Sequence, residues 1–227
     1  MRGLEAGRWR GGKTDILRYH APTMTPARRA ATVSRTARKP PAGRNRVRII
    51  GGEWRSRLVR FPPSADLRPT PDRVRETLFN WLGQRLDGLE ALDLFAGSGA
   101  LGFEALSRGA ARVVMVEHDA RVAEGLRAAA RELGTDAAQV VDGDAIAFLR
   151  RATQRFDVAF VDPPYATRLA AAAMAELPAR LKPGARVYVE TAAPLALAAP
   201  WRALREGQAG AVRYALFELA TSADDPR

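Results

Sequence analysis

From Leu89 onward short apolar runs alternate with amphipathic stretches, and this alternation restricts the fold more than any other feature of the chain. Ala91–Phe95, Arg112–Glu117, Gln139–Val141, Phe156–Val161 and Arg186–Glu190 predict strands. Ala100–Arg108, Asp119–Leu133, Ala145–Ala152 and Thr167–Leu177 predict the helices between them. Strands separated by helices lie parallel in one sheet, joined by right-handed crossovers. Two last runs, Trp201–Glu206 and Val212–Leu219, flank Gly207-Gln208-Ala209-Gly210 and predict an antiparallel hairpin at the sheet edge. The expected core is therefore α/β and Rossmann-like, with a mostly parallel seven-stranded sheet.

A smaller unit precedes it. Arg46–Ile50 and Trp54–Phe61 read as two strands around Gly51-Gly52, a strong hairpin signal. The hairpin carries Arg46, Arg48, Arg55, Arg57 and Arg60. Thr70-Pro71 then opens a helix, because Thr suits the N-cap and Pro the first turn. Val74, Leu78, Trp81 and Leu82 fall on one face of it, and Gly83 lies near its end. The expected organisation is a basic tail over 1–45, a hairpin-and-helix region over 46–88 and a catalytic domain over 89–222.

The chain has 227 residues and a net charge of +11. Residues 1–46 contain twelve Lys/Arg and two acids, so nearly all the excess sits in the tail. Such a segment, poor in apolar periodicity, reads as disordered, and as an electrostatic arm for nucleic acid or a solvated extension. Cysteine is absent, and His20 and His118 are the two histidines. This excludes a disulfide framework, a thiolate nucleophile and a Cys- or His-rich metal site, so no metal is expected. Neither a secretory apolar stretch nor a run long enough for a bilayer is visible, and a cytoplasmic setting without membrane partners is expected.

Two strand ends carry the chemistry. After the first, Gly97-Ser98-Gly99-Ala100-Leu101-Gly102 fits G-x-G-x-x-G, with glycines that let backbone approach a ligand and a helix N-terminus behind them. Glu117 ends the next strand, twenty residues beyond Gly97, where a carboxylate can accept both hydroxyls of a ribose. Asp144 can accept from an adenine amino group beside the Ala145 N–H, or cap the following helix. Asp93 can brace the glycine turn or receive a cationic ligand end. Asp119 reads as a helix cap and His118 as a loop residue. These features serve NAD and S-adenosylmethionine equally.

After the fourth strand stands Asp162-Pro163-Pro164-Tyr165. An exocyclic amino nitrogen on a base is a poor nucleophile, because its lone pair is delocalised into the ring. The Asp162 carboxylate and the Pro163 carbonyl can accept its two protons and turn the lone pair toward an electrophile. Pro163 and Pro164 stiffen the loop, so that the carbonyl is aimed before binding. Tyr165 offers a stacking face worth about 1–3 kcal/mol. A sulfonium methyl is the electrophile this arrangement calls for, and a nicotinamide oxidoreductase leaves Asp162 to Tyr165 unexplained.

At these residues the chain resembles the bacterial 16S rRNA (guanine-N2)-methyltransferases. The resemblance spans about residues 46–220. It rests on Arg48-Ile-Ile-Gly-Gly-Glu-Trp-Arg55, Leu67-Arg-Pro-Thr-Pro-Asp-Arg-Val-Arg-Glu-Thr-Leu-Phe-Asn-Trp81, Leu92-Asp-Leu-Phe-Ala-Gly-Ser-Gly-Ala-Leu-Gly102 and Val161-Asp-Pro-Pro-Tyr165. It implies a class I methyltransferase fold and S-adenosylmethionine at Gly97, Ser98, Gly99, Glu117 and Asp144. It further implies that Asp162 and Tyr165 face a guanine, and that the Arg68–Arg75 segment borders the cleft. The expected substrate is 16S rRNA or the assembling small subunit, with Arg48, Arg55, Arg57, Arg68, Arg73 and Arg75 on RNA phosphates. The alternatives are a DNA adenine or cytosine amino-methyltransferase and a non-catalytic RNA-binding assembly factor.

Overall fold

The computed structural model describes residues 45–63, 67, 69–164, 167–195 and 197–220. The tail expected over 1–45 falls almost wholly outside these residues, as do Arg68 and Tyr165. The chain runs β1 (Arg46–Arg48), β2 (Leu58–Arg60), α1 (Asp72–Leu82), β3 (Glu90–Asp93), α2 (Ala100–Ser107), β4 (Arg112–Glu117), α3 (Ala120–Leu133), β5 (Ala138–Asp142), α4 (Ala145–Arg151) and β6 (Phe156–Val161). It continues through α5 (Thr167–Glu176), a 3-10 turn (Leu177–Arg180), β7 (Leu181–Thr191), β8 (Trp201–Ala209) and β9 (Val212–Leu219).

β3 to β9 form one sheet in the order β5-β4-β3-β6-β7-β9-β8. β3 to β7 are parallel, and β9 and β8 close the edge antiparallel. Alternation of side chains along each strand sends Ala91, Val113, Met115, Val158, Phe160 and Tyr188 to one face, beneath α1, α2 and α3. Leu92, Val114, Val116, Ala159, Val161 and Val189 reach the other face, beneath α4 and α5. Both faces are covered, which is why the central strands tolerate unbroken apolar runs.

The order reverses between β3 and β6. β3 leads outward through α2 to β4, and β6 leads the other way through α5 to β7. A crevice opens outside the carboxyl ends of the strands at such a switch point, and ligands bind there. The two motif-bearing strand ends flank it.

Four local expectations are corrected. Gly51-Gly52 is no two-residue turn: β1 and β2 are three residues each and pair from Arg46↔Arg60 to Arg48↔Leu58, with a nine-residue loop between them. The glycines are there because the loop lies against α2. The Glu53 N–H donates to the Ser107 carbonyl at 2.7 Å, and a Cβ on Gly52 would fall 1.8 Å from that carbonyl oxygen. Thr70 does not cap α1. Pro71 holds the N-cap position without a side-chain bond, and the Thr70 hydroxyl points instead to Asp162. β8 runs through Gly207 to Ala209, so the turn is Gly210-Ala211. Gly207 stays extended beneath the ring of Tyr214, where a Cβ would stand 2.4 Å from a ring carbon. β7 also starts earlier than expected, at Leu181, through an irregularity in its register with β6 between Phe156 and Val158.

Gly83 ends α1 in the left-handed conformation, as expected, and Asp119 caps α3 by accepting from the Arg121 and Val122 N–H groups. Among the described residues no helix is long and apolar enough to cross a membrane.

Candidate active site

Among the described residues, four carboxyl groups line the carboxyl ends of β4, β3, β6 and β7, and the exposed Asp142 of β5 stands in register beyond Glu117. Strand parity places Asp93 with Ala91, Glu117 with Met115, Asp162 with Phe160 and Glu190 with Tyr188, all on the face beneath α1 to α3. Across the sheet the row reads Glu117, Asp93, Asp162, Glu190, on β4, β3, β6 and β7. A row of acids repels a pyrophosphate and attracts a cation. That separates the two adenosine ligands which sequence alone left equal. S-adenosylmethionine carries a sulfonium and an ammonium, whereas NAD carries two phosphates.

Each acid has its own partners. Asp93 is buried and accepts from the Gly102 N–H of α2 at 3.0 Å. Burial pushes its carboxyl up to about 7. The Gly102 bond opposes this, and the charges of Asp162 and Glu117 add to it. Glu117 is also buried and accepts from the Gly97 N–H and the Asp119 N–H, each at 2.9 Å, while His118 Nδ1 lies 3.0 Å away. Glu117 thus fixes the glycine turn from below. Gly97 and Gly99 take φ of +49° and +74°, conformations that side-chain-bearing residues disfavour. Ser98 between them is buried. Each Glu117 oxygen accepts from one backbone N–H and retains a lone pair for a ribose hydroxyl.

Asp144 caps α4, accepting from the Ala147 N–H at 2.7 Å, so the capping alternative holds. It is exposed beside the buried Ala145, one strand beyond Glu117, and its second oxygen can serve an adenine amino group. The donor and acceptor set therefore fits S-adenosylmethionine: glycine turn, diol acceptor, purine acceptor and acids toward the cationic end.

At the tip of β6, Asp162 accepts from the Thr70 hydroxyl through Oδ2 at 3.2 Å. Among the described residues no donor reaches Oδ1. The residue is partly exposed while its carboxyl is enclosed, and burial pushes it up to about 6 against the Thr70 bond. Pro163 is buried and Pro164 exposed. Thr70 and Glu190 are the residues that sequence reading missed. The signal for Glu190 was present, since the end of a parallel strand at a switch point is where ligand groups gather.

The arginines separate into two kinds. Arg48, Arg55, Arg57 and Arg73 are exposed. Arg48 meets Asp72 at 3.1 Å, and Arg57 donates to the Glu132 and Leu133 carbonyls at the end of α3. Arg75 is a correction: its side chain is wholly buried and donates to the Thr70 and Arg48 carbonyls, Glu104 and Asp72. No phosphate can reach it.

Residues 47–218 match the family model described as conserved hypothetical protein 95. The ribosomal RNA small subunit methyltransferase D of Haemophilus influenzae is 43% identical over 186 residues, 78% of this chain and 96% of that protein. That of Escherichia coli is 42% identical over 182 residues, with 78% and 92% covered. The solved structure of the putative methyltransferase yhhF from Escherichia coli superposes with a TM-score of 0.72 at 41% identity, over 78% of this chain and 99% of that one.

Proposed function

Because the chain belongs to the family of the ribosomal RNA small subunit methyltransferase D proteins, we propose that it transfers a methyl group from S-adenosylmethionine to the exocyclic N2 of a guanine in 16S rRNA. The observation that carries the chemistry is the carboxyl of Asp162. It stands at the switch point beside Asp93, with Oδ2 held by Thr70 and Oδ1 without a donor among the described residues.

When bound, S-adenosylmethionine supplies a methyl group already activated by its sulfonium. Glu117 holds the ribose hydroxyls, Asp144 and the Ala145 N–H meet the adenine, and the turn Gly97-Ser98-Gly99 lets the ligand lie against backbone. Asp93 keeps that turn seated on α2 through the Gly102 N–H and faces the cationic end of the ligand. Asp162 Oδ1 and the Pro163 carbonyl accept the two N2 protons and orient the lone pair. As the N2–C bond forms and the C–S bond breaks, the surplus N2 proton passes to Asp162 Oδ1. A carboxyl raised to about 6 is basic enough to take it and acidic enough to release it to water. Pro164 stiffens this loop, and Tyr165 supplies the stacking face for the base.

The exposed Arg48 and Arg73, with Arg68, hold RNA phosphates beside the cleft, while Arg55 and Arg57, on the loop that meets the carboxy-terminal ends of α2 and α3, hold phosphates farther along the RNA. The Arg48–Asp72 pair is an exposed one of small worth and yields readily to a phosphate. Such contacts offset the few kcal/mol needed to take a base out of its stack.

The test is incubation with labelled S-adenosylmethionine and, separately, naked 16S rRNA, assembled small subunits and duplex DNA. Label recovered from RNA as N2-methylguanosine is the expected result. Label in DNA overturns the RNA assignment, and binding of the methyl donor without transfer to any of the three overturns the enzymatic one.

A further inference from the structure

Glu190 stands near the end of β7, beside the reacting carboxyl of Asp162. β6 and β7 are parallel and in register at Val161↔Val189, so Glu190 is the next-strand neighbour of Asp162 on the same face. It is 8% exposed, and its Oε1 accepts from the buried Tyr188 hydroxyl at 2.9 Å. On its other side the register pairs Glu190 with Tyr214 of β9, and Tyr214 with Gly207 of β8. Trp81 of α1 packs against Tyr214 with ring centroids 5.5 Å apart and planes tilted by 36°, and both residues are half-buried. The acid pair thus ends against a wall of flat rings.

Burying a carboxyl is costly unless something uses it. A tyrosine hydroxyl alone is a weak reason, because it can bond to a neutral group as well. From this arrangement we infer that Glu190 reads the Watson–Crick edge of the target base, pairing with guanine N1–H and O6 while Asp162 holds N2. The inference rests on the proposed guanine-N2 reading. Neighbouring strands lie about 4.8 Å apart, a span that suits the distance from the N2 end to the O6 end of a guanine edge. Burial, with the charge of Asp162, pushes Glu190 up to about 8 against the Tyr188 bond, so at neutral pH it keeps its proton. A protonated carboxyl offers a carbonyl to N1–H and a hydroxyl to O6, the complement of guanine. Glu190 is therefore a specificity residue that also sets the angle at which N2 meets Asp162.

The experiment compares small-subunit RNA carrying either guanine or 2-aminopurine at the position that the wild type methylates. 2-Aminopurine keeps the N2 amine but lacks N1–H and O6. The wild type is expected to methylate guanine at least ~10-fold faster, the discrimination of one bidentate pair. Glu190→Gln, whose amide presents a carbonyl and an N–H in the same places, retains that ratio. Glu190→Leu, which fills the space without a polar edge, brings it toward one. Binding of both RNAs in the presence of S-adenosylhomocysteine gives the same ratio for any variant too slow to turn over. A Leu variant with the wild-type ratio overturns the inference, as do equal wild-type rates on the two bases, a result that needs no variant to fold. Absence of any N2-methylguanosine from the wild type on guanine RNA is a different failure, that of the guanine-N2 reading itself.

Discussion

At the scale of single residues, neighbouring carboxyls differ in role because their environments differ. Asp162→Ala removes the acceptor for the amino protons and lowers methyl transfer by at least ~100-fold, the size expected for loss of one oriented polar group in a closed site. Donor affinity measured by calorimetry stays within a few-fold of wild type, and near-normal turnover by this variant contradicts its role. The wild-type rate should fall as pH drops through about 6, because the protonated carboxyl no longer accepts from the amine. Glu117→Ala loses the diol acceptor and the bond that seats Gly97, and weakens donor binding by about 1–3 kcal/mol. An unchanged affinity removes Glu117 from the site.

At the scale of elements, the hairpin region is tied to the sheet through one buried acid. Glu104 of α2 accepts from the Ile50 and Gly51 N–H groups at 2.8 Å each, from Arg75 of α1 at 3.3 Å and from Arg108 at 2.8 Å. Arg75 in turn fixes the Thr70 carbonyl, next to the hydroxyl that orients Asp162. Breaking a buried pair leaves an unmatched charge, so Arg75→Ala should cost about 3–5 kcal/mol. Hydrogen exchange should then quicken over residues 46–61 before it does in β4 or β6, and a variant as stable as wild type counts against this brace. This coupling explains what was legible in the sequence and what was not. β4 and β6 were found residue for residue, because buried parallel strands are written as local apolar runs. Gly51-Gly52 and Thr70 were misassigned because their partners, Ser107 and Asp162, lie more than fifty residues away. Local turn and cap signals carry no information about such contacts. Arg75 looked like its exposed neighbour Arg73, and two positions along a helix are enough to separate solvent from core.

At the scale of the whole molecule, the acid row sets a pH dependence of stability. Asp93, Asp162 and Glu190 rise to about 7, 6 and 8 from ordinary values near 4, so the folded chain retains protons that the unfolded chain has lost. Their contribution to stability is full below about pH 4 and declines as pH rises toward 8. Asp93→Asn keeps an acceptor for Gly102 but cannot ionise, so the fall in Tm between pH 5 and pH 8 should be shallower than in wild type. Equal slopes contradict the assignment. The most direct test is a crystal structure with S-adenosylmethionine bound. The donor should lie over the carboxyl end of β3, its methyl pointing to the tip of β6. The methyl carbon should stand about 3–3.5 Å from the position an amino nitrogen takes when bonded to Asp162 Oδ1 and the Pro163 carbonyl. A donor bound elsewhere, or one whose methyl faces away from Asp162, contradicts the account.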